Sequence, residues 1–144
     1  MPFTNRIIAL IDESSPAIGI YLRFIKQRLN GNRELDIARR FIQPGNFAID
    51  VGARKGIYSW VMSGLVGNKG KVAAFEPNPQ NVRTLRRVFS GKSNIVIHDC
   101  ALSDHTGEEL LYVPMVVGEL NDAFGHLEKR DEDGPDSVLY RTQV

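Results

Sequence analysis

The chain of 144 residues has one cysteine, Cys100, so it cannot form an intramolecular disulfide. That usage suits a reducing compartment, and a cytoplasmic setting is expected. No apolar stretch approaches the roughly 20 residues of a membrane span. Asp12 and Glu13 interrupt the apolar N-terminus early, which makes a poor secretory signal. Neither sign of charge is in excess: 18 Lys and Arg face 17 Asp and Glu, interspersed along the chain. Composition therefore argues for neither a nucleic-acid nor a membrane-surface partner. Two phosphate-binding motifs are missing as well. A G-x-G-x-x-G run from Gly52 needs glycines where Arg54 and Ile57 stand. Gly70-Lys71 is followed by Val72, and Leu65 occupies the first glycine position of a phosphate-binding loop. His98, Asp99 and His105 lack a metal-ligand spacing, so no metal is assigned. No base can be placed beside Cys100, so it is not read as a nucleophile.

What is present centres on residues 46–58. Phe47, Ala48, Ile49 and Val51 form a short apolar run between Pro44-Gly45 and Gly52. Such a run reads as a buried strand of a parallel sheet. Gly52 and Gly56 then frame a tight turn, and a helical pattern begins at once. Strand, glycine turn and helix N-terminus together make a small-molecule site at the carboxyl edge of a sheet. Asp50 sits at the strand end. A second strand, Lys71 to Phe75, ends at Glu76, near the roughly 20-residue gap expected of a ribose-binding carboxylate.

The rest of the chain supports an alternating pattern. Ser15 and Pro16 open a helix with Ile18, Tyr21, Leu22, Ile25 and Leu29 at helical spacing, ended by Gly31. A second helix runs from about Arg33 to Ile42, with Leu35, Ala38, Phe41 and Ile42 on one face. Ile7–Ile11 is read as a short helix. Ile57, Trp60, Val61 and Leu65 line a helix after the glycine turn. Asn78 caps the next helix and Pro79 begins it; Val82, Leu85, Val88 and Phe89 form its buried face. Ile95–Ile97 is a third strand. Glu109–Val113 and Ser137–Val144 are further strands, and residues 118–137 read as an exposed loop. Strand, helix, strand, helix, strand implies a parallel sheet with crossovers.

Asp50-Val51-Gly52-Ala53-x-x-Gly56-x-Tyr58-Ser59, then Phe75-Glu76-Pro77-Asn78-Pro79, then Ala101-Leu102-Ser103-Asp104, resembles the FkbM-type family of S-adenosylmethionine (SAM)-dependent methyltransferases. The resemblance covers about residues 35–113, with its blocks in order. It implies an α/β, Rossmann-like, doubly wound and mostly parallel sheet, of which this chain carries the first half. Residues 1–43 are then a helical segment packing on the sheet, and residues 44–144 the SAM-binding domain. The family's next strand, after Val144, would carry an acceptor-side segment. The implied activity is methyl transfer to a hydroxyl of a sugar or small metabolite; a non-catalytic fragment and an NAD-type domain are the alternatives.

SAM has an amino-acid end and a nucleoside end but no phosphate, which suits the turn. Backbone groups around Gly52, Ala53, Gly56 and Tyr58 are expected to hold its carboxylate, and Asp50 to attract its ammonium. Glu76, followed by Pro77 and Asn78, is expected to accept both ribose hydroxyls. The family's segment matching Asp99, Cys100 and Ala101 borders the adenine. Asp99 is equally readable as a loop carboxylate. No general base is identified. Partners are a small-molecule acceptor and a possible second copy of the chain.

Overall fold

Three parallel strands carry the fold, and each is followed by chemistry that turns the chain. The computed structural model describes residues 11, 14–29, 31–116, 119–120, 125–127, 130 and 138–144. Strands β1 (Phe47–Val51), β2 (Lys71–Phe75) and β3 (Ile95–His98) form one sheet in the order β1-β2-β3. Asp50 stands opposite Ala74, and Phe75 opposite His98, so the strands end together along one carboxyl edge. Helices α3 (Ile57–Val66) and α4 (Pro79–Val88) make the two crossovers. Strand and helix alternate as the sequence pattern implies.

Two helices precede the sheet. Helix α1 (Pro16–Leu29) begins at the expected proline, and α2 is Arg33–Phe41. Asn32 caps α2 by accepting the Leu35 N–H, a role the sequence reading did not assign. These helices lie against α3 and α4. Ile20 of α1 is fully buried in a core with Ala48, Val66, Val72, Ala74, Leu85, Phe89 and Ile95. Trp60 packs beside that core, with Tyr21 and Phe24 of α1 at ring distances of 6.3 and 5.2 Å. Residues 7–10 of the expected first helix lie outside the described residues.

Four expectations need correction. Strand β1 is buried on one face only. Ala48 and Asp50 point inward, while Phe47, Ile49 and Val51 are each more than half exposed. A short apolar run shows no periodicity, so it cannot reveal which of its faces is covered. Phe41 is 76% exposed, because α2 turns Leu35 and Ala38 inward instead. In α3, Val61 is buried and Ile57 and Trp60 pack against the core as expected, but Ser59, Ser63 and Val66, which the expected face left out, are buried as well. Finally, the 118–137 segment is not all loop. Strand β6 (Glu119–Leu120) pairs with β5 (Met115–Val116), and His126 bridges to Tyr112.

The predicted late strands are present as β4 (Glu108–Val113) and β7 (Val138–Gln143), antiparallel to each other. Leu111 and Val113 are buried. This ribbon touches the parallel sheet's edge region through Gln143, which bridges Cys100; the Ala101 N–H donates to the Gln143 carbonyl.

Candidate functional site

The turn after β1 is tied to the end of β2. The N–H groups of Gly52 and Ala53 both donate to the Phe75 carbonyl at 2.9 Å, and the Gly56 N–H donates to the Ala53 carbonyl. Gly52, Arg54 and Gly56 all have left-handed φ values of 74°, 52° and 86°. The two glycines are required for different reasons. A Cβ on Gly56 would stand 2.7 Å from Leu85 and 2.8 Å from Phe89, so α4 packs directly over the backbone there. A Cβ on Gly52 would meet nothing within 4 Å. Its restriction is conformational, and its outer side is exposed.

Asp50 lies one layer below this turn and is 7% exposed. Its Oδ2 accepts the Ser59 hydroxyl at 2.6 Å, and the Ser59 N–H also donates to it. Ser59 is the third residue of α3, so Asp50 supplies an acceptor to that helix's unsatisfied first turn. Burial pushes the Asp50 carboxyl above the usual carboxylate value, and the two Ser59 bonds oppose the shift. The carboxylate expected to face an ammonium group is thus turned inward onto Ser59.

Glu76 is the centre of the site. It is 5% exposed and gathers three donors. Oε2 accepts the Arg54 N–H at 2.6 Å. Oε1 accepts the Asn78 N–H at 2.9 Å and the Asn81 side-chain amide at 3.3 Å. Asn78 caps α4 as expected, accepting the Gln80 N–H at 2.9 Å, with Pro79 next in the helix. One carboxylate therefore joins the glycine turn, the second strand and the start of α4. Sequence reading placed Glu76 and Asn78 but not Asn81. The usable signal was its position three residues after an N-cap, where side chains reach back toward the helix start.

Other candidate residues are spread around this centre. Pro77 is half-buried between Glu76 and the cap. The Tyr58 hydroxyl accepts the Asn32 amide at 2.9 Å, which ties Tyr58 to the corner between α1 and α2. Asp99 pairs with Arg86 at 2.9 Å on the surface. Cys100 and Ala101 run beside Gln143, and burial, followed by the Asp99 charge, raises the Cys100 thiol. His98 stacks on Phe75 with ring centres 4.5 Å apart. His105 bonds Asp104 and Glu109 on the exposed turn before β4. No metal-holding group of acidic, histidine or cysteine side chains occurs among the described residues. No helix among them is long and apolar enough to cross a membrane.

No curated protein matches the chain significantly. Seven solved chains resemble parts of it, among them two named as methylating enzymes. One, assigned as an rRNA-methylase from Clostridium thermocellum, shares 15% identity with a TM-score of 0.46. That alignment covers 48% of this chain and 39% of that one. The other, the methyltransferase FkbM from Methylobacillus flagellatus KT, shares 16% identity with a TM-score of 0.38. It covers 70% of this chain and 33% of that one. The chain thus spans about two fifths and one third of their lengths. A family model, the methyltransferase FkbM domain, matches residues 50–142, from Asp50 at the end of β1 to Thr142 in β7. That span takes in the glycine turn, Glu76 and the capped helix, and on it the chain belongs to the FkbM methyltransferase domain family.

Proposed function

We propose that the chain binds SAM and serves methyl transfer to a hydroxyl oxygen of a sugar or small metabolite. The observation that carries this reading is the Glu76 carboxylate, held at the carboxyl edge of the parallel sheet beside an open-sided glycine turn. The residues fit a nucleoside. A carboxylate has about four acceptor sites, and among the described residues three donors reach Glu76, which leaves Oε2 one site for a ribose hydroxyl. The open side of Gly52 suits a ligand that lies close to backbone. Asp50 fits a supporting role, since its charge is spent on Ser59.

When bound, SAM supplies a methyl group activated by its sulfonium. The chain's own task is alignment. The Glu76 contact fixes the nucleoside, the Gly52 turn fixes how closely the other end approaches, and the α3 N-terminus adds a favourable field for a carboxylate. Residues 44–144 form the cofactor-binding unit in this reading, with residues 1–43 as a helical flank. A cytoplasmic setting and a small-molecule acceptor go with it.

The test is calorimetry with SAM, S-adenosylhomocysteine and NAD, followed by methyl-transfer assays over a panel of sugars and hydroxylated metabolites. Binding of the first two and not NAD supports the cofactor assignment. Binding without turnover on any acceptor would make the chain a binding module. Binding of NAD alone would reject the reading.

A further inference from the structure

The three donors on Glu76 are unevenly placed. Oε1 carries two and Oε2 carries one. With two acceptor sites per oxygen, Oε1 is saturated, and among the described residues nothing fills the second site of Oε2. The Oε1 donors come from the first turn of α4 and its cap. Asn78 is the N-cap, and Asn81 stands three positions further on. In a capping box the third helical side chain accepts the cap residue's N–H. Here Glu76 takes that N–H, and Asn81 donates its amide to the same oxygen. Asn81 is 3% exposed, so its amide is committed to this contact and shielded from water.

We infer that Asn81 is a positioning residue: by filling Oε1 it turns the free acceptor site of Glu76 onto Oε2, toward a single ribose hydroxyl. The inference rests on the nucleoside reading of Glu76 above. It departs from the sequence expectation, in which Glu76 accepts both ribose hydroxyls, because one is accepted rather than two. Without Asn81 the carboxylate loses one of its two anchors on Oε1 and is held less firmly, so the open Oε2 site is no longer kept in one direction. The preference for a ribose should then fall, while contacts to the base and the amino-acid end stay as they are.

Calorimetry with S-adenosylhomocysteine and its 2′,3′-dideoxy analogue separates these effects, using the whole chain. The wild type should prefer the ribose-bearing ligand by about tenfold or more, as expected for a hydrogen bond to a charged group. Asn81→Ala should reduce that preference to within about threefold and leave affinity for the dideoxy analogue nearly unchanged. Asn81→Ser, which keeps a hydroxyl donor, should restore part of it. A structural role alone would weaken both ligands equally and would overturn the inference. Should Asn81→Ala not fold, Asn81→Leu fills similar volume without a donor and carries the same comparison. If neither folds, Asn81 is a fold residue and the inference is wrong. Glu76→Gln is the control. If it loses the ribose preference while Asn81→Ala keeps it, only the role of Asn81 fails. If Glu76→Gln keeps the preference, or the wild type binds neither ligand, the nucleoside reading fails first and takes this inference with it.

Discussion

The Arg54 N–H donates to Glu76 Oε2 at 2.6 Å, so a strained turn residue is held by the carboxylate proposed to meet the cofactor. Stability and binding therefore share one side chain. Glu76→Ala would strand the N–H groups of Arg54 and Asn78, each costing about 1–3 kcal/mol when left unpaired. Urea unfolding should show a loss of at least about 2 kcal/mol. Glu76→Gln keeps the shape and one acceptor, and should cost clearly less. Equal stability of wild type and Glu76→Ala would mean that the carboxylate does not hold the turn.

Gly52 and Gly56 should respond differently to alanine. Gly56→Ala forces a methyl group against Leu85 and Phe89 in addition to a left-handed φ. Overpacking of about 1–3 kcal/mol adds to a conformational penalty of about 1–2 kcal/mol. Gly52→Ala bears only the second. Denaturant midpoints would reveal the ranking, and a more damaging Gly52→Ala would contradict the packing described. Gly52→Val should abolish S-adenosylhomocysteine binding while circular dichroism stays close to wild type.

Asp50 contributes to stability in a pH-dependent way. Burial raises its folded pKa above the ordinary value of 3.8. The native state then binds more protons than the unfolded state between those two values. Its contribution is fully present below 3.8 and is lost as pH rises through the folded pKa. The stability of wild type relative to Asp50→Asn should therefore fall as pH increases across that window. Urea titrations of both proteins over a pH series test this, and a pH-independent difference would refute it.

Asn94 ties the end of α3 to the start of β3. It is 8% exposed, accepts the Ser63 hydroxyl at 2.9 Å and donates to the carbonyls of Ser63 and Gly67. Asn94→Ala should cost about 2 kcal/mol or more, since it removes these bonds and orphans buried groups. Ligand affinity, measured where the variant is fully folded, should hardly change.

Much of this molecule is legible in its sequence. Asn78-Pro79 announces its helix, because a cap and an N1 proline act locally. The glycine turn and Glu76 are visible for the same reason. What could not be read depends on long-range packing. Phe47, Ile49 and Val51 look like core residues until the sheet shows which face α3 and α4 cover. Ser59, Ser63 and Asn81 are polar yet buried, because their partners Asp50, Asn94 and Glu76 arrive from other elements. Hydrophobic periodicity carries no record of such pairings. The tie between Asn32 and Tyr58 is hidden in the same way, across 26 positions of chain.

The outward face of β1 has a calorimetric consequence. Phe47, Ile49 and Val51 are 67%, 52% and 62% exposed in the folded chain. Heat capacity rises on unfolding because apolar groups pass from a dry to a wet environment. These three side chains make much of that passage before unfolding begins. They add little to the heat-capacity increment, and the stability curve of the chain should be flatter than its apolar content implies. Cooling would then weaken it less than it weakens a domain that hides the same residues, and the folded chain would bind a hydrophobic dye such as ANS.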